Sequence, residues 1–152
     1  MNSTAKRSEP IAIRLLSLII ILALVLGVGL ATGLVLRHIV QTGPLWIVVA
    51  LGATRSRSTG WIGLPLFVFW LMLMVLIWLY LFGIVHVISG QFMPIEVVMT
   101  IIVGVASLGG ILMFARFPSV LSAAKAGSFF VAMALLQCAC FRISFLPAVV
   151  RR

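Results

Sequence analysis

Four long apolar stretches, residues 11–36, 61–88, 97–115 and 120–143, decide what this chain can become. A helix needs about 20 predominantly apolar residues to cross the hydrocarbon core of a bilayer, and each stretch is near or above that length. Of the 152 residues, 64% are hydrophobic and 9% charged. No water-soluble domain of this length buries so much apolar surface. The expected fold is therefore all-α: one polytopic membrane domain, built as an antiparallel four-helix transmembrane bundle.

Between the first two stretches lies an apolar segment, residues 44–53, followed by Arg55 and Arg57. Ten helical residues reach about 15 Å, half the hydrocarbon thickness. An interfacial or re-entrant helix is expected there, with Trp46 at headgroup level. A buried extended segment is the alternative. Pro10 suits the first turn of the first span. Lys6 and Arg7 precede an apolar run far longer than a signal core of about 7–15 residues, so the reading is an uncleaved first span. Four spans put both ends on one side, and a slight excess of Lys and Arg there favours the cytoplasm.

The formal net charge is +9, with Glu9 and Glu96 as the acidic side chains. The basic residues sit singly at span ends and form no stripe. Arg37, Arg55, Arg57, Arg116 and Lys125 read as contacts to anionic headgroups and as topology signals. Nothing aromatic and basic is interleaved outside the spans, so no nucleic-acid partner is expected. Membrane lipids, other membrane subunits or a second copy of the chain are the expected partners.

Several motifs bear on packing. Gly29 and Gly33 form a GxxxG pair of the kind that lets two helices approach closely in lipid. Ala106 and Gly110 repeat that spacing in the third span, and Ala124, Ser128 and Ala132 in the fourth. Trp70, Met74, Trp78 and Phe82 lie four apart and read as one stripe, either a lipid-facing ridge or a helix-docking surface. Cys138 and Cys140 stand about 200° apart around a helix and cannot bridge each other.

Polar residues inside spans are few. In a four-span bundle Arg14, His86, Glu96 and Arg142 fall near one membrane surface. They form a candidate polar cluster, either a proton- or ion-responsive group or helix-end neutralisation. Enzyme signals are sparse. The chain has no aspartate, and His38 and His86 fall near opposite surfaces. No catalytic residue, metal or cofactor is therefore expected. The expected function is a small non-catalytic integral membrane protein: a subunit, assembly factor or regulator that packs against other membrane helices. The alternative is a small homo-oligomeric channel or carrier for an ion or small solute. A carrier needs polar groups at mid-membrane depth, where the chain offers Ser, Thr and Gln137.

Overall fold

The structure, a computed structural model, describes residues 3–54, 56, 58–86, 92–116 and 121–150, with residues 3–9 as backbone alone. Every regular element among the described residues is helical. Four helical spans are long and apolar enough to cross a membrane: Pro10–Thr32, Thr59–Leu81, Pro94–Arg116 and Ala123–Ile143.

The first span begins as α1 (Ser3–Leu22), so Pro10 lies inside a helix rather than in its first turn. The helix then widens into a π segment, Ala23–Gly29, before tightening again in α2 (Leu30–Thr32). Close neighbours mark the widened turn. A Cβ added to Gly27 would stand 2.6 Å from Met99 Sδ, and one on Gly29 would stand 3.1 Å from Val35 Cα. The span stops at Gly33, whose φ of +72° suits glycine and few other residues. The apolar run continues to Leu36, but its helix does not.

After that turn come α3 (Val35–Gln41) and α4 (Gly43–Ala53), which meet at a 57° bend. The segment expected to be interfacial or re-entrant is thus helical, with one face packed inward. Leu45 and Val48 are fully buried, while Trp46 is half exposed. The buried extended alternative is excluded. At the far end of α4, a Cβ on Gly52 would lie 2.7 Å from Arg14 Cβ and 2.9 Å from the Pro10 carbonyl oxygen. The α3–α4 pair therefore runs back along the first span, from its Gly33 end to its Pro10 end.

Helix α5 (Thr59–Leu81) starts at the Pro10 end, where Gly63 approaches Ile13 and Val48. It ends in a Schellman turn at Gly83 (φ +73°). Ile84 N–H donates to the Leu79 carbonyl and Gly83 N–H to the Tyr80 carbonyl, both at 2.9 Å. That stop cuts the second apolar run well short of residue 88. Helix α6 (Pro94–Arg116) returns in the opposite sense, with Trp61 stacked edge-on against Phe114 and Phe67 seated over Gly110. Ala106 and Gly110 are both buried, consistent with the close approach their spacing implied. Helix α7 (Ala123–Ile143) and the short α8 (Pro147–Val150) close the described chain.

The core is apolar and lies among α1, α4, α5 and α6. Ile13, Ile20, Leu45, Leu66, Phe67 and Trp70 are its fully buried side chains of largest consequence. Burying a large apolar side chain is worth about 1.5–3 kcal/mol when the alternative is water. In lipid that term is absent between helices, so shape fit of the Gly110–Phe67 kind carries more of the packing. Helix α7 is attached by a narrow seam. Only Ala126, Met133 and Gln137 are buried along its length.

Candidate functional site

A break in a helix frees backbone groups that must find partners, most of all in an apolar setting. The α3–α4 bend is such a break. Leu45 N–H turns to the Thr42 carbonyl at 2.9 Å, which leaves the Gln41 carbonyl without its helical partner. Gln137 of α7 supplies one, its amide Nε2 donating to that carbonyl at 3.0 Å. The Gln41 side chain in turn donates to Ser144 Oγ at 3.0 Å, and Ser144 donates to the Phe141 carbonyl. The Thr42 hydroxyl donates to the His38 carbonyl at 2.9 Å. Gln41, Thr42, Gln137 and Ser144 are all buried. This polar clasp ties α7 to the bend.

Above the bend lies a cavity of about 510 Å³. Its mid-helix wall is apolar, built by Leu24, Leu73, Met74 and Met99. Its other end collects polar side chains from helix termini: Thr32 at the end of α2, Arg37 and His38 on α3, and Glu96 in the first turn of α6. His38 Nδ1 donates to the Leu34 carbonyl at 2.9 Å, which fixes the ring against its own helix. The Arg37 guanidinium stands 4.1 Å over the Phe145 ring, and its Nε has no hydrogen-bond partner among the described residues. Glu96 accepts from Met93 N–H at 2.7 Å. That bond caps α6 and places the carboxylate on the helix dipole.

The cluster expected from sequence is only partly assembled. Arg14 packs on Gly52 at the Pro10 end of the fold, remote from Glu96. The return of α3–α4 reverses the expected level of every later helix, which parts Arg14 from the rest. His86 and Arg142 are exposed. Arg37, read from sequence as a headgroup contact, lines the cavity, as does Glu96. Arg116 and Lys125 are exposed. Arg55 and Arg57 lie outside the described residues.

The aromatic stripe divides. Trp70 and Met74 are 1% and 4% exposed and belong to the core, so they form neither a lipid ridge nor a docking surface. Trp78 is half-buried and packs against Phe82, ring centroids 5.6 Å apart, while Phe82 is 68% exposed. The drift of a four-residue spacing around the helix accounts for the split: each step falls about 40° ahead of a full turn. Gly29 packs against the returning α3, and Gly33 is the turn itself, with nothing near its Cβ position. Neither forms a free GxxxG surface.

Sequence reasoning missed Gln41 and Ser144 as partners and Arg37 and His38 as cavity residues. The available signal was Gly33, a helix stop four residues before a buried-side Arg-His pair. Among the described residues no group of three His, Cys, Asp or Glu side chains gathers as a metal site. Cys138 and Cys140 are free thiols. No protein-family model, curated protein or solved structure matches the chain.

Proposed function

We propose that this chain is a non-catalytic multi-pass membrane protein, a subunit, assembly factor or regulator that packs against other membrane helices. The observation that carries this reading is the outer face of α7. Ala124, Ser128 and Ala132 are all exposed there, and nothing lies within 4 Å of a Cβ placed on Gly127. Membrane helices associate through faces of this kind, where small residues let backbones approach. Only 17% of the apolar window of α7 is buried, against 39% for α5, so α7 has the most surface left for another helix. Purification in mild detergent tests the reading. A stoichiometric partner lost on Ser128→Leu supports it, and a monomer with no partner in native membranes contradicts it.

The membrane topology follows from the same reading. The α3–α4 pair is taken as a bent fifth pass rather than a re-entrant loop, because its end meets Pro10 and Arg14. Five passes put the two ends of the described chain on opposite sides of the membrane. The four-pass arrangement, with both ends in the cytoplasm, is the competing topology.

A second reading, a small channel or carrier, is favoured by one observation. A broken helix lines the cavity through Arg37, His38 and Gln41. Discontinuous helices with satisfied breaks are the usual ligand-binding elements of membrane carriers. Solute flux in liposomes separates the two readings.

A further inference from the structure

We propose that the cavity between the π segment, α2, α3, α5, α6 and α7 binds an amphipathic anion: an acyl chain carrying a carboxylate or phosphate headgroup, held by Arg37. The inference goes beyond the subunit reading and does not depend on it.

Size comes first. A volume of about 510 Å³ falls in the range of about 300–1,000 Å³ that small-molecule sites occupy. Polarity comes second. The wall built by Leu24, Leu73, Met74 and Met99 offers nothing to a hydrated ion, whereas an acyl chain matches it. The opposite end is charged, so the site is amphipathic along its length.

Charge comes third and selects the headgroup. Arg37 is half-buried, lies over the Phe145 ring and makes no ion pair among the described residues. A guanidinium out of water calls for an anion, and its fork binds carboxylate or phosphate through two parallel hydrogen bonds. The one carboxylate among the described residues that line the cavity does not fill that role. Glu96 is committed to Met93 N–H and to the positive end of α6. His38 has its Nδ1 committed to Leu34. The arrangement thus presents one uncommitted cation at the mouth of an apolar slot.

The test uses the full-length protein, delipidated in a neutral maltoside detergent, and reads binding by native mass spectrometry and by thermal shift. Four probes are compared: oleate, oleoyl-lysophosphatidate, oleyl alcohol and inorganic phosphate. Oleate or the lysophosphatidate should bind at least tenfold tighter than oleyl alcohol, and phosphate alone should neither bind nor compete. The tighter of the two anions identifies the source as free fatty acid or phospholipid, and either result upholds the proposal. Arg37→Gln should remove the preference for anions while leaving oleyl alcohol binding unchanged. Arg37→Lys should retain part of it. Arg142→Gln, an exposed cation on α7, should change nothing. The wild-type comparison keeps the test meaningful even where an Arg37 variant fails to fold. Equal binding of oleate and oleyl alcohol, competition by phosphate alone, or no binding of any probe would each overturn the proposal.

Discussion

The side-chain amide of Gln137 donates a 3.0 Å hydrogen bond to the backbone carbonyl of Gln41, across 96 residues of sequence. That one bond explains how an apolar fold tolerates a 57° bend between α3 and α4. The bend frees a carbonyl, and α7 brings a donor to it. The same bond helps hold α7, most of whose surface faces outward. Met133 in the core and Phe141 edge-on to Phe69, 5.4 Å between centroids, supply its apolar packing, and the polar clasp at Gln41, Gln137 and Ser144 fixes its end at the bend.

Removing the donor should therefore loosen α7. A buried acceptor left unpaired costs about 1–3 kcal/mol. Gln137→Leu keeps the volume and loses the bond, so it should lower the thermal unfolding midpoint in detergent. An unchanged midpoint would mean that the bend finds another partner.

Gly110 should tolerate no side chain. A Cβ there would lie 2.5 Å from the Phe67 ring. Overpacking of this kind typically costs about 1–3 kcal/mol. Gly110→Ala should destabilise the protein, and Phe67→Leu in the same chain should recover part of the loss. Additive effects in the double mutant would show that the two residues do not touch.

Gly33 should behave differently, because it is a turn and not a packing position. Its Cβ position is open, but its φ of +72° strains a side chain. Gly33→Asn should be tolerated better than Gly33→Val, since Asn enters the left-handed region more readily than a β-branched residue. The order is read from detergent melting of the two variants. Equal loss in both would point to crowding instead of backbone strain.

Helical content and four helices long and apolar enough to cross a membrane were legible in the sequence because length and composition alone decide them. The apolar runs said nothing of their own breaks. Gly33 and Gly83 end helices inside those runs through a positive φ, a backbone property that hydropathy does not register. The site was less legible still. Arg37 and His38 looked like a span end facing headgroups, and only the return of α3 along the π turn brings them to a cavity wall. Trp70 and Phe82 shared a spacing in sequence yet separate into core and surface, because no periodicity says which side of a helix another helix will cover. Gln137 was visible as a mid-span polar residue, but its partner, a freed carbonyl, exists only once α3 and α4 bend.

Cysteine accessibility tests the central claim, the bent fifth pass, most directly. In a background of Cys138→Ala and Cys140→Ala, single cysteines are placed at Ser3, Ser58, Ser122, Ile84 and Ala148 and labelled in sealed vesicles with an impermeant thiol reagent. The five-pass fold predicts that Ser3→Cys, Ser58→Cys and Ser122→Cys react from one side, and Ile84→Cys and Ala148→Cys from the other. Labelling of Ser3→Cys and Ser58→Cys from opposite sides, with Ser3→Cys and Ala148→Cys on the same side, would contradict it and restore four passes.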